Sequence, residues 1–250
     1  AYLYRQLDAP RTDKCPPPFA PRNECLTYEE QFRTLAYLRY EGDLGSAARL
    51  VRATLSYQRQ HERRRHARPA SFVENGGRDD VDTFGLSATL DSHSLSLGGG
   101  FAALASGGLD GYFDSLDSLA WTTFTDSDIV TLSSRGQYLD GSSYWQGGSF
   151  VDLEADYDQL VFLRGGGRMG GARADAPADP ESGSRAVARG WHTAVGHVGL
   201  EVRPLDWLSL VGNVDRSFRA PNLDDLTSRQ QTGPGFQFEN ADLVPETALS

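Results

Sequence analysis

Leu50-Val51-Arg52-Ala53-Thr54-Leu55-Ser56-Tyr57-Gln58 sets Val51, Ala53, Leu55 and Tyr57 against Arg52, Thr54, Ser56 and Gln58. Successive side chains of a strand leave opposite sides, so this alternation reads as a strand with one oily and one wet face. The same period recurs on both sides of it. Phe32, Thr34, Ala36, Leu38 and Tyr40 share one parity, with Arg33 and Arg39 on the other. Phe84, Leu86, Ala88 and Leu90 oppose Thr83, Gly85, Ser87 and Thr89, and Leu95, Leu97, Phe101 and Ala103 oppose Ser94, Ser96, Gly98 and Gly100. Val151, Leu153, Ala155 and Tyr157 oppose Asp152, Glu154 and Asp156, and Val161, Leu163 and Gly165 form a weaker sixth run. Ala194, Val198, Leu200 and Val202 oppose Thr193, His197 and Glu201, and Leu208, Leu210, Gly212 and Val214 oppose Ser209, Asn213 and Asp215. The pattern predicts eight strands, each with one uncharged face.

The connections add an independent signal. Short polar turns are expected at Glu41-Gly42-Asp43, Asp91-Ser92-His93, Asp156-Tyr157-Asp158 and Arg203-Pro204-Leu205-Asp206. Long loops are expected at His61–Asp80, Ser106–Gln146 and Arg168–Gly190, so that short and long alternate. Loops above ~15 residues are uncommon in compact domains, whereas outer-membrane barrels pair short turns at one end with long loops at the other. The fold class expected is therefore all-β: a transmembrane antiparallel β-barrel in part, with short periplasmic turns and long extracellular loops. Tyr40, Tyr57, Tyr157 and Trp207 lie near the expected strand ends, where interfacial aromatic girdles form. Arg52, Asp152, Glu154 and Glu201 fall on the polar parity and are candidates to face the lumen. A secreted β-sandwich is the soluble alternative.

Composition excludes several classes. The 250 residues carry 24 Lys+Arg against 34 Asp+Glu, a net charge of −10, with 27 Gly and 12 Pro. No run approaches the ~18 apolar residues of a membrane helix, and no basic stripe suits nucleic acid. Four Trp, ten Tyr and twelve Phe are too many for a disordered chain. No basic segment followed by an apolar one opens the sequence, and Ala1-Tyr2-Leu3-Tyr4 reads like a strand already under way, so an internal piece of a longer chain is expected. Cys15 and Cys25 flank a proline-dense stretch that cannot hold regular structure. Two cysteines on one such loop predict a disulfide in an oxidising compartment, with two unpaired thiols as the alternative and no zinc ligand set nearby.

Strand eight runs into Arg216-Ser217-Phe218-Arg219-Ala220-Pro221-Asn222-Leu223-Asp224-Asp225-Leu226, and a Gly-containing loop leads to Glu239-Asn240-Ala241-Asp242-Leu243-Val244-Pro245-Glu246-Thr247. Pro221 cannot donate to a ladder and holds Ala220 extended, Asn222 can close an Asx-type turn, and Pro245 marks the entry to a further strand. Phe218, Arg219, Ala220, Pro221, Asn222 and Leu223, followed by Asn240, Leu243, Pro245 and Glu246, resemble the paired motifs of TonB-dependent outer-membrane receptors. Tyr138-Leu139-Asp140-Gly141-Ser142-Ser143-Tyr144 and Gly147-Gly148 are similar to that family's loop-to-strand passages. The resemblance is strongest over residues 190–250 and implies a barrel of about 22 strands closed by an N-terminal plug. It implies uptake of a scarce bulky nutrient such as a ferric siderophore, another metal chelate or cobalamin, energised through TonB. Residues 1–250 would then be part of the barrel domain, about eight strands, with the plug and the C-terminal strands absent. The implied location is the bacterial cell outer membrane, with lipid and lipopolysaccharide as neighbours. A passive porin or a small eight-stranded barrel is the rival that needs no energising partner.

Nothing in the chain points to an enzyme or a cofactor. His61-Glu62-Arg63-Arg64-Arg65-His66 spaces its histidines by five, one too many for a shared helix face, and reads as an exposed basic loop tip able to fork phosphates. Gly165-Gly166-Gly167-Arg168-Met169-Gly170-Gly171 lacks the Lys-Ser/Thr of a phosphate loop and reads as a strand running into a flexible loop. Asp110, Asp114, Asp117, Asp126 and Asp128 crowd the longest expected loop; solvated surface charge is expected there, with calcium as the alternative.

Overall fold

The computed structural model describes residues 2–10, 25–68, 71–231 and 235–250. Cys15 lies outside them. The strands are β1 (Tyr2–Pro10), β2 (Cys25–Gly42), β3 (Leu50–Arg68), β4 (Val73–Asp91), β5 (Leu95–Gly98), β6 (Phe101–Phe124) and β7 (Ile129–Leu132). They continue as β8 (Ser142–Tyr157), β9 (Val161–Ala176), β10 (Val187–Leu205) and β11 (Leu208–Arg219). A short helix α1 (Leu223–Thr227), a small hairpin of β12 (Gln230–Gln231) and β13 (Phe236–Gln237), and β14 (Glu246–Leu249) close the described chain. All pairings in the twelve-stranded sheet are antiparallel, and its order is β1-β2-β3-β4-β6-β8-β9-β10-β11-β14, with β5 and β7 lying along β6. The long strands β1, β2, β3, β4, β6, β8, β9, β10 and β11 follow one another across the sheet in chain order, as expected for a meander.

Three expected loops are largely strand. Residues 61–68 and 73–80 continue β3 and β4 in unbroken register, His61 opposite Asp80 and Arg68 opposite Val73. With β3 running to Arg68 and β4 starting at Val73, most of the first expected long loop is strand, and the strict alternation of loop lengths fails there. Residues 106–124 belong to β6, so Asp110, Asp114 and Asp117 are strand residues; only Asp126 and Asp128 sit in the turn at 125–128. The glycine run 165–171 is strand throughout, since β9 extends to Ala176. The physical reason is common to all three. A ladder needs only backbone partners, so pairing continues where both faces are polar and the period-two signal has vanished.

The fourth expected strand is a hairpin. Gly98, Gly99 and Gly100 have φ of 82°, 61° and 85°, a run that side chains with a Cβ disfavour, and it turns β5 back onto β6. Ser92–Ser94 is consequently no chain reversal: β4 and β5 lie along the same edge of β6, Asp91 opposite Ser106 and Leu95 opposite Ala103. At Tyr157–Leu160 the reversal is tight, with Asp158 and Gln159 both at positive φ and Leu160 N–H donating to Tyr157 O over 2.9 Å.

The two faces of the sheet differ. One carries α1 and the segment 133–141, which bury Leu116, Leu139, Tyr144, Ala174, Val187, Trp191, Leu223 and Leu226 into the core. The other is bare. Leu38, Leu55 and Leu86 lie in adjacent register on it, as do Leu153, Val198 and Val214 within the row Leu153-Gly165-Val198-Val214. All six are exposed, Leu38 at 72%.

Candidate functional site

The bare face has bounds. Tyr57, Phe84, Phe113 and Trp145 stand directly opposite one another across β3, β4, β6 and β8, forming one aromatic row. Tyr57 is therefore mid-strand, not at a strand end as expected. Its hydroxyl donates to Asp82 over 2.6 Å, so the phenol's polar tip points toward the polar end of the strands. Twelve residues along β6 and β8, Phe101 packs on Tyr157 with ring centroids 4.6 Å apart, marking a second aromatic level. Between the rows the bare face is apolar; beyond Tyr57 it turns ionic, with Arg59, His61, Arg63 and Arg65 on one strand. Arg59 is 3.0 Å from Asp80, while Arg63 and Arg65 are 3.0 and 3.1 Å from Glu29. The basic stretch is thus a paired strand surface, not a free loop tip.

Arg52, Asp152, Glu154 and Glu201 all fall on the covered face by register. Arg52, Glu154 and Glu201 each meet an opposite charge there, and Asp152 meets an imidazole. Arg52 lies 3.6 Å from Glu41 and 3.5 Å from Asp91, and Asp152 lies 3.5 Å from His197. Glu154 accepts from Arg164 over 2.8 Å, and Glu201 accepts from Arg203 over 2.7 Å. Further along, Arg168 forks Asp110 with two bonds of 2.6 and 2.8 Å. Above this pair a cavity of about 350 Å³ opens between Tyr112, Gln146, Thr193 and Phe218. Its floor is glycine because nothing larger fits: a Cβ on Gly170 would come within 2.6 Å of the Gly147 carbonyl.

The two motifs separated in sequence meet in space. Arg219 at the end of β11 pairs with Glu246 at the start of β14, and Phe218 pairs with Thr247. Ala220 and Leu243 pack against the core from the excursion between them. Pro221 ends the ladder and leads to Asn222, which caps α1: its side chain accepts from Asp225 N–H at 2.9 Å while Asp225 accepts from Asn222 N–H at 3.1 Å. The expected Asx turn is thereby a helix cap, with Leu223 and Leu226 buried beneath it. Asn240 folds its own turn, accepting from Asp242 N–H over 3.0 Å, and Pro245 precedes the first residue of β14.

What the sequence did not reveal is the ion cluster that fastens these segments. Arg135 is buried; it donates to Ser184 Oγ over 2.6 Å, to the Gln137 carbonyl over 3.0 Å and to the Thr227 carbonyl, and lies 3.3 Å from Glu239. Glu239 also accepts from Arg229 over 2.5 Å and from Ser184 over 2.8 Å. Burial alone would raise the Glu239 carboxyl, but these donors prevail and hold it below the usual glutamate range. Burial pushes the Tyr138 phenol well above its ordinary value, and the Asp224 carboxylate, which accepts its hydroxyl proton at 3.2 Å, adds to the effect. The cluster joins residues 133–141, 177–186 and 220–245, all at the same end of the sheet. The local signal was Arg135 itself, the one basic residue between Ser133 and Gly141.

A family model described as the TonB-dependent receptor-like β-barrel matches residues 4–250. The chain belongs to this family. No curated protein matches it. Among solved structures, this TonB-dependent receptor barrel is similar to the hemophore receptor HasR of Serratia marcescens, a double mutant in complex with its hemophore HasA and heme. That match has a TM-score of 0.69 and 19% identity over 92% of this chain and 39% of HasR. It is also similar to the copper transporter OprC, with a TM-score of 0.69 and 16% identity over 90% of this chain and 37% of OprC. The siderophore receptor PiuA of Acinetobacter baumannii matches with a TM-score of 0.66 and 12% identity, again over 90% of this chain and 37% of the other. The receptor barrel chain thus spans about two fifths of these structures. At such identities the likeness establishes the fold.

Proposed function

We propose that this chain forms part of the barrel wall of an outer-membrane receptor for TonB-energised uptake of a scarce bulky nutrient, in the class of metal chelates, heme or cobalamin. The observation that carries the reading is the apolar belt of the bare face, bounded by two aromatic levels and backed by a covered face of charges and hydrogen bonds. Such a sheet suits hydrocarbon on one side and an enclosed aqueous interior on the other. Arg52, Asp152, Glu154 and Glu201 then line the lumen, where the plug would lie. The plug and the remaining strands belong to the rest of the receptor polypeptide, and TonB acts through that plug. Arg59, Arg63 and Arg65, on the bare face beyond the upper aromatic row, stand at the height of lipopolysaccharide headgroups. A Cys15–Cys25 bridge would fasten the segment between β1 and β2 on the oxidising, outer side.

The likeness to a hemophore receptor, a copper transporter and a siderophore receptor supports an uptake role over a porin. The test is uptake of labelled ferric siderophores, heme and cobalamin by cells carrying the complete reading frame, with and without TonB. The reading expects accumulation of one of these that disappears when TonB is deleted. Uptake indifferent to TonB would favour the passive porin, and recovery of the protein from the soluble fraction would refute the membrane placement.

A further inference from the structure

The hairpin of β6 and β7 forms an arm. Phe124, at its end, lies about 36 Å along β6 from Phe113 of the upper aromatic row, at about 3.3 Å per residue. β7 pairs with β6 on one side, Ile129 opposite Phe124 and Leu132 opposite Trp121. Among the described residues no strand pairs its other side. The Ser133 N–H donates to the Ala120 carbonyl over 2.9 Å, which sets the phase of the ladder. Alternate residues of an antiparallel strand direct their backbone groups to the same side. Ile129 and Thr131 therefore bond β6 as Ser133 does, while Val130 and Leu132 aim their N–H and C=O groups at the free edge. Exposed edges are ordinarily blunted by charge, proline or a bulge. Ile129-Val130-Thr131-Leu132 has none of these. Ile129, Val130 and Leu132 are exposed, Leu132 at 67%, and so are Phe72 and Phe124 beside them. At the tip, Asp126 accepts from the adjacent Ser127 hydroxyl over 3.1 Å, and among the described residues neither Asp126 nor Asp128 has a cationic partner. The base of the arm is fixed, since Ser134 donates to Asp179 over 2.7 Å and Arg135 is buried.

We propose that the free edge of β7 docks an extended, cationic polypeptide segment, which joins the sheet as a strand beside it. Such pairing takes its affinity from main-chain hydrogen bonds and its selectivity from alternate side chains. Val130 and Leu132 share one face of the arm, so an incoming strand gains by presenting apolar residues on that face. Asp126 and Asp128 favour a basic residue where the segment passes the tip. The chain's net charge of −10 draws the same partner from further away. A second copy of the receptor does not fit. Antiparallel pairing of two β7 edges needs a two-fold axis across the sheet, which would set the two copies in opposite orientations in the membrane. The inference rests on the receptor reading above only for the outer placement of the arm.

The probe is a dye-labelled synthetic peptide of eight residues, alternating valine and threonine with an arginine at each end, titrated by fluorescence anisotropy into the complete receptor in detergent. The expected result is saturable binding. Methylating alternate backbone nitrogens of the peptide should weaken it about tenfold or more. A peptide ended by glutamates should bind less well at low salt, with the difference closing at high salt. Val130→Pro removes an outward N–H without touching a bond to β6, and should weaken binding about tenfold. Hydrogen exchange resolved to single amides supplies a second reading on the unaltered receptor. Val130 and Leu132 should exchange fast and Thr131 and Ser133 slowly, and the peptide should slow the first two. Absence of saturable binding overturns the inference, as does binding indifferent to both methylation and Val130→Pro. Protection of Val130 and Leu132 before any peptide is added also overturns it, because the rest of the polypeptide then covers the edge. None of these readings uses uptake, so peptide binding by a receptor whose uptake ignores TonB overturns only the function proposed above.

Discussion

Val151→Arg tests the bare face where it should be most sensitive. Trp145 and Tyr157 lie on the same face of β8, and Val151 is halfway between them, 59% exposed. At about 3.3 Å per residue the two aromatics are about 40 Å apart along the strand, and a tilt near 45° makes that about 28 Å of height, close to the ~25 Å apolar band of outer-membrane barrels. Val151 therefore sits at the midplane, where an arginine on the lipid side costs about 2–4 kcal/mol. That lowers the folded-to-unfolded ratio by about 30- to 1,000-fold. The assay is reversible guanidinium unfolding of the complete receptor in lipid vesicles, followed by tryptophan fluorescence. Asp152→Asn, one residue away on the covered face, should stay within about 1 kcal/mol, because it leaves only a half-exposed contact with His197. A Val151→Arg protein as stable as the parent would refute the reasoning.

Three further outcomes follow from the covered face. Arg135→Met should destabilise by about 3 kcal/mol, the lower end of the range for a broken buried pair because Glu239 keeps Arg229; hydrogen exchange should speed up across residues 133–141. Gly170→Val should shift the thermal unfolding midpoint down, since a Cβ meets the Gly147 carbonyl at 2.6 Å and overpacking costs about 1–3 kcal/mol; a Gly212→Val control, with open space around it, should not. Because Glu239 is held below its unfolded pKa, its contribution is complete above the ordinary glutamate range and fades as the pH falls through the folded value. Unfolding midpoints between pH 7 and 3 should therefore drop less steeply in Glu239→Gln than in the parent.

The strands were legible wherever one face is apolar and the other polar. Val51–Tyr57 and Val151–Tyr157 announce themselves because hydrocarbon on one side and water on the other impose a period of two. Past Tyr57 and Trp145 that contrast ends, and the residues of β3, β4 and β6 beyond the aromatic row look like loop although their backbones stay paired. The Gly98–Gly100 run was visible as a turn signal, but the alternation on either side of it masked the reversal. The meeting of Arg219 with Glu246 gives the motif pair its physical sense: one ends a strand, the other starts the strand beside it. The Arg135–Glu239 contact spans 104 positions and leaves no local trace.

The central claim is that alternate residues of each strand meet hydrocarbon and water. Spin labels placed singly from residue 149 to residue 156 of β8 in the complete receptor, reconstituted in lipid, read this directly through collision with oxygen and with a water-soluble nickel complex. The account predicts a strict period of two, with oxygen access at Ser149, Val151, Leu153 and Ala155 and nickel access or burial at Phe150, Asp152, Glu154 and Asp156. Oxygen access that fails to alternate, or that peaks at Asp152 and Glu154, would contradict it.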